Sequence, residues 1–286
     1  MINSKSNVSA KKIFRYVVCI FLCALAIFPF YVLIINSTLP SNTIKQGIHM
    51  LPGTNFIANY KSLMLKSSVT SSVSLWKALF NSLIVTVPTT VLQVYFATLT
   101  AYGLTVYQFK GRNQAWAFIY AIMMIPTQVS IIGLIKVCDI TNMYGTYWPL
   151  ILPAMAAPTT VYFMKQYMAS GLSVEIIEAA RIDGSGEFQT FNTIALPLMK
   201  PAMATQAIFA FVASWNNLYT PSILLATERD LATMPMFIEG LKSNDKQRDF
   251  GEIYAGMLIT VLPILVAYLL LSKYIVAGVA LGGVKE

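Results

Sequence analysis

Six runs of about 20 mostly apolar residues, at 13–36, 79–103, 115–135, 147–167, 202–225 and 253–274, dominate this chain. That length is what a helix needs to cross the hydrocarbon core of a bilayer. Hydrophobic residues make up 56% of the sequence and charged residues only 11%, against roughly 25% charged in soluble domains. Most of the surface must therefore meet lipid or other apolar helices, and the expected fold is all-α, a polytopic membrane protein with six transmembrane helices. Pro29, Pro88, Pro126, Pro153 and Pro263 fall inside the runs, where neighbouring helices can satisfy the backbone groups that a proline frees.

Charge suggests the orientation. No acidic residue precedes Asp139, while Lys and Arg recur from the start, which gives the net charge of +8 its N-terminal bias. Lys5, Lys11, Lys12 and Arg15 stand immediately before or at the start of the first run, so the positive-inside rule places the N-terminus in the cytoplasm. Six crossings return the C-terminus to the same side. Lys110, Arg112 and the polar stretch 173–201 are then cytoplasmic, whereas Lys45, Lys61, Lys66 and Lys77 lie outside and reduce the total bias. Nucleic acid is not the expected partner of so apolar a chain. The first run is too long for a secretory signal and lacks a small-residue cleavage site, so it reads as an uncleaved span. Cys19, Cys23 and Cys138 read as small apolar filler, with no disulfide expected.

Polar residues inside the runs mark candidate paths or packing seams. In the second, Thr86, Thr89, Thr90, Gln93, Ala97 and Thr100 share a sector of about 100° on a helix. Such a face serves close helix packing or lines a hydrated substrate path. In the third, Pro126-Thr127-Gln128 offers a kink and an amide. The fifth holds Gln206, Ser214, Trp215, Asn216, Asn217 and Tyr219, which supply amides beside an aromatic plate, as a sugar requires, or form an interfacial belt. Mid-span acids and bases are lacking away from the run ends, so a neutral solute fits better than an ion relay. Outside, 38–78 reads as a polar segment, helical around 56–65, and 228–252 as a long charged loop.

The stretch 173–201 stands apart because it is polar and Gly-punctuated between long apolar runs. It reads as two short helices at an angle. Ser173 caps the first, Glu175 and Glu178 lie near its positive end, and Gly184 with Gly186 stops it. The second spans 188–195 and ends at Leu196-Pro197. Adjacent Ala179 and Ala180 leave the first helix thin, so a partner can approach while Glu178 and Arg181 fix its orientation.

Glu178-Ala179-Ala180, three residues to Gly184, nine more to Ile194, then Leu196-Pro197 resembles the EAA loop of ABC-transporter permease subunits. The ending Lys273-Tyr274-Ile275 with Gly278, Gly282, Gly283 and Lys285 is similar to sugar permeases of the maltose type, and Trp215-Asn216 adds to the likeness. The resemblance covers the chain from about residue 79. It implies a type I ABC importer permease fold with a core domain at 79–286, preceded at 1–78 by a cytoplasmic tail, the first span and an external segment. It also implies a multi-pass protein of the bacterial cytoplasmic membrane that imports a sugar or oligosaccharide. The implied partners are a second homologous permease, two ATP-binding cassette ATPase subunits and an extracytoplasmic sugar-binding protein. ATP and Mg belong to the ATPases, with no cofactor in this chain. Coupling falls to Glu178, Ala179, Ala180, Arg181, Asp183, Gly184, Ile194, Leu196 and Pro197. Thr89, Thr90, Gln93 and Gln128 are candidates for the sugar path, with Trp215, Asn216, Asn217 and Tyr219. An enzymatic role has no support, since His49 is the sole histidine and no P-loop, HExxH or Cys/His cluster occurs.

Overall fold

A computed structural model describes residues 10–66, 73–242 and 248–282. Gly283 and Lys285 of the C-terminal signature lie outside the described residues, as does the side chain of Thr127. Among the described residues the structure is helical, with no strand. It matches the all-α expectation.

Three helices are long and apolar enough to cross a membrane: α1 (Ala10–Ser37), the 32-residue α3 (Leu75–Val106) and α12 (Phe250–Gly282), the last over its segment Phe250–Ile275. Between α1 and α3 lies α2 (Phe56–Lys66), in the region expected to be helical. The other three apolar runs are not continuous helices. The third divides into α4 (Arg112–Ile122) and α5 (Thr127–Thr141), because Pro126 is extended and its ring disfavours helical geometry at Ile125. The fourth begins with short turns at Trp148–Ile151 and Leu152–Met155 and resumes as α6 (Pro158–Gly171). Ala156 and Ala157 lie off the helical region there. The fifth runs as α9 (Lys200–Trp215), breaks, and continues as α10 (Tyr219–Leu224). Hydropathy sees all six runs, but six unbroken spans is not the observed arrangement.

α3 is the axis of the bundle. Its polar stripe is spent on neighbours: Ser214 Oγ donates to Thr86 Oγ1 at 3.3 Å, Thr89 Oγ1 to the Leu150 carbonyl at 3.4 Å, and Gln93 Nε2 to Thr160 Oγ1 at 2.9 Å. Thr90 turns back to the Thr86 carbonyl at 2.8 Å. Interhelical bonds of this kind hold membrane helices together where the hydrophobic effect does not. Thr100, expected on the same face, is exposed.

Two large clusters form most of the core, one toward each end of α3, and a smaller third joins Ala97 and Leu104 to Val161. Toward its start, Leu63, Leu75, Phe211, Trp215 and Ala255 pack with Met234 and Phe237 of α11 (Met234–Lys242). The 228–252 segment is thus not a simple solvated loop: α11 buries its apolar face, and Asn81 Nδ2 donates to the Asp230 and Ala232 carbonyls, both at 3.0 Å. Toward the end of α3, Tyr102 and Val106 pack with Met164, Met168, Ile177, Phe191 and Met199. By contrast, α1 is exposed on all faces through residue 31 and packs only through its last turns.

Candidate functional site: the elbow between α6 and α9

The polar stretch folds as α7 (Val174–Ile182) and α8 (Glu187–Leu198). Gly184 joins them at φ +85°. Its N–H donates to the Arg181 carbonyl at 3.0 Å and the Ser185 N–H to the Ala180 carbonyl at 2.9 Å, the paired bonds of a Schellman stop, which glycine adopts without Cβ strain. Gly184 alone ends α7. Gly186, also expected in the stop, has φ −69° and caps the start of α8. Ser173 occupies the cap position of α7, where its hydroxyl donates to the Glu175 carboxylate and accepts no backbone N–H of the first turn. That contact holds the Glu175 carboxyl below its usual range.

α8 also departs from expectation. It starts at Glu187 and passes through Leu196-Pro197 to Leu198. The Leu196 N–H reaches the Phe191 carbonyl, five residues back, closing a π turn over Phe191–Ala195. This wide turn absorbs one extra residue where Pro197 offers no donor, so the chain stays helical across a proline. After Met199 the direction changes by 81° into α9.

One side of the elbow is welded to the bundle and the other is bare. Ile177, Ala180, Phe191 and Ala195 are buried in the cluster at the end of α3, with Ile194 and Leu196 packed against it. Glu178, Ala179 and Asp183 are exposed, and so are three large apolar side chains: Ile176, Ile182 (86% exposed) and Phe188 (69%). Of the alanine pair, only Ala179 faces outward. Large apolar side chains left exposed among charged ones suit a protein contact surface.

Arg181 turns back across the elbow. Its Nε donates to Glu187 Oε1 at 2.7 Å and its Nη2 to Oε2 at 3.1 Å, a two-pronged bridge from α7 to α8. Tyr107, just past the end of α3, donates its hydroxyl to Glu187 Oε2 at 2.5 Å, and the Arg181 guanidinium lies 5.4 Å from the Tyr107 ring centroid. The bonds from Arg181 and then Tyr107 hold the Glu187 carboxyl below its ordinary value. Burial, then the bond to Glu187, pushes Tyr107 up to about 12. Sequence reading missed both Glu187 and Tyr107: the i,i+6 pair spans a turn and falls outside helical i,i+4 spacing, and Tyr107 is 80 residues from its partner.

The sugar-path candidates scatter. Trp215 is 1% exposed, stacked on Phe211 at 5.7 Å, with Nε1 donating to the Thr260 carbonyl at 3.1 Å; it is a packing residue, not a plate open to a ligand. Asn216 and Tyr219 are exposed, and Asn217 Oδ1 accepts from the Thr220 N–H at 3.2 Å, securing the restart as α10. Thr90 edges an apolar groove shared with Lys200 and Tyr274. Gln128 is exposed on α5. Ser214, Asn217 and Thr220 meet Val85, Pro149 and Pro153 around a cavity of about 220 Å³, where the broken fourth and fifth helices face each other. No cluster of metal-ligating side chains occurs among the described residues.

A long helical bundle with a Gly-stopped elbow and interrupted helices defines a membrane transport subunit. The family described as binding-protein-dependent transport system inner membrane component matches residues 93–280, and the chain belongs to it. It is an ABC-transporter permease subunit of the carbohydrate-importer kind. The arabinooligosaccharides transport system permease protein AraQ of Bacillus subtilis (strain 168) is 33% identical over 267 residues, 92% of each chain. The sn-glycerol-3-phosphate transport system permease protein UgpE of Salmonella typhi is 29% identical over 268 residues, 93% of this chain and 95% of the relative. In fold, the chain is similar to a bacterial ABC transporter involved in the import of the acidic polysaccharide alginate, with TM-score 0.76, 20% identity and coverage of 96% of this chain and 99% of the other.

Proposed function

We propose that this chain moves a sugar or oligosaccharide across the cytoplasmic membrane, as one of two permease subunits driven by two ATPase subunits and supplied by an extracytoplasmic binding protein. The observation that carries the reading is the elbow: a left-handed glycine stop turns α7 onto α8, one face is fused to the bundle, and Ile176, Ile182 and Phe188 are left bare. The similarity to AraQ across 92% of the chain supports a saccharide as cargo.

In this reading the EAA loop is the elbow, with Glu178, Ala179, Asp183 and Gly184 on its docking side. Arg181, Ile194, Leu196 and Pro197 act from within, by holding its shape. Six crossings arise from three continuous helices and three interrupted ones, with both termini cytoplasmic. The N-terminal unit is 1–78 and the permease core 79–286. Interrupted helices at membrane depth are tolerated where the irregular backbone is buried in protein or lines a cavity. The cavity at Ser214, Asn217 and Thr220 is accordingly the best candidate for the path; Thr89 meets it through its bond to the carbonyl of the lining residue Leu150, whereas Gln93, Gln128, Asn216 and Tyr219 are not part of its lining. ATP and Mg are handled by the partner subunits. ATPase closure displaces the elbow and favours one of two bundle arrangements, giving alternating access.

The assembled complex in lipid vesicles, with its binding protein, tests this. Arabinooligosaccharides should stimulate ATP hydrolysis and enter the vesicles. Stimulation by amino acids or peptides, with none by any saccharide, would overturn the cargo assignment.

A further inference from the structure

Three tyrosines tie the inner half of α3 to α8. The Tyr95 hydroxyl donates to Asn192 Oδ1 at 3.1 Å, and Asn192 is itself held by an Nδ2 bond to the Phe188 carbonyl at 2.8 Å. The Tyr102 ring lies 5.2 Å from that of Phe191, and 5.9 Å edge-on from Tyr107. Tyr107 completes the series on the Glu187 carboxylate, which also receives both prongs of Arg181. One carboxylate thereby joins three elements: α7 through Arg181, α8 through its own backbone, and α3 through Tyr107.

The covalent path is less direct. From α8 the chain reaches α9 only through the 81° bend after Met199. α3 is continuous from the clamp to the cavity wall at Val85, about 30 Å at 1.5 Å per residue. It then touches both walls, through Thr86 with Ser214 and Thr89 with the Leu150 carbonyl.

We infer that Tyr107, Glu187 and Arg181 form a positioning clamp that passes displacement of the elbow to α3, and along α3 to the polar cavity. The inference rests on the reading of the elbow as the ATPase dock. Charge-assisted bonds are the strong, directional kind, and a two-pronged guanidinium contact resists rotation of α7 against α8. Tyr107→Phe removes one oxygen and keeps the ring packing, and Glu187→Gln keeps the side chain's shape.

The experiment uses the full complex with spin labels at the exposed positions Gln189 on α8 and Val91 on α3, in a background lacking native cysteines. Distances are read without nucleotide and after trapping with ATP and vanadate. The intact clamp should hold one label separation in both states. In Tyr107→Phe or Glu187→Gln, the trapped state should gain a second separation, with the ratio of populations shifted at least roughly tenfold, the scale of one charged hydrogen bond. The double variant should do no more than the worse single one. Variants indistinguishable from the unmodified chain, in a complex that still hydrolyses ATP, would overturn the clamp. Failure of the ATPases to copurify with the unmodified chain would instead remove the dock, a separate outcome.

Discussion

Gly184 offers a test in which backbone conformation can be separated from bulk. Its φ of +85° lies in the left-handed region, yet a Cβ built there meets nothing within 4 Å. Within this chain any cost of substitution is thus conformational, and an asparagine variant controls for bulk against the docked partner. Left-handed backbone costs an ordinary L-residue about 1–2 kcal/mol. The two bonds of the stop contribute about 0.5–1.5 kcal/mol each, so releasing the cap costs about 1–3 kcal/mol. Alanine at 184 therefore brings the capped and frayed elbows to comparable populations, and uptake should fall several-fold. Valine, a genuine outlier at positive φ, should open the cap and abolish uptake. Asparagine, enriched in this region, should remain near the unmodified rate. Uptake of the stimulating oligosaccharide is measured in reconstituted vesicles, normalised to inserted protein. Full activity with Gly184→Val, or an Asn variant as inactive as the Val variant, would refute the conformational reasoning.

Glu178→Lys reverses an exposed charge on the dock and should loosen ATPase association or uncouple hydrolysis from uptake; unchanged coupling in vesicles counts against the contact. Trp215→Ala should destabilise the bundle by about 3–5 kcal/mol, as large core truncations do, without altering the saccharide concentration that half-saturates ATPase stimulation. A shifted half-saturation in a normally folded variant would return Trp215 to the sugar path. The clamp should also set a pH window. Glu187 is held below its ordinary 4.5, so its contribution is complete above that value and disappears as pH falls through the lower folded value. Tyr107 is raised to about 12, so its contribution is complete below its ordinary 10 and is lost as pH rises toward about 12. Melting of the detergent-purified chain against Glu187→Gln should show a constant difference between about pH 5 and pH 9, shrinking in more acidic buffer. A difference that peaks near pH 4 contradicts the assignment.

The elbow was legible because its parts are local. A glycine at a left-handed stop and an apolar rhythm on either side are written within a few residues, and the fixed spacing to Ile194 follows the length of α8. Apolar runs were legible for the same reason. Their interruptions were less so, since a hydropathy run counts side chains and not backbone hydrogen bonds: Pro126 announced a kink where the third run divides, whereas the break after Trp215 has no proline to announce it. Trp215-Asn216-Asn217 looked like one cluster, but α9 ends at Trp215 and the chain leaves the helix there. Trp215 consequently faces the core while Asn217 faces the cavity. The clamp was hidden because its partners meet only after the bundle has folded.

The central claim is that the elbow lies on the cytoplasmic side, within reach of the ATPases. Its most direct test is a single cysteine at Gln189, an exposed position on α8, with Cys19, Cys23 and Cys138 replaced. A membrane-impermeant maleimide applied to intact cells should leave it unlabelled, and the same reagent should label it once inverted vesicles expose the inner face. Labelling from outside intact cells would contradict the account.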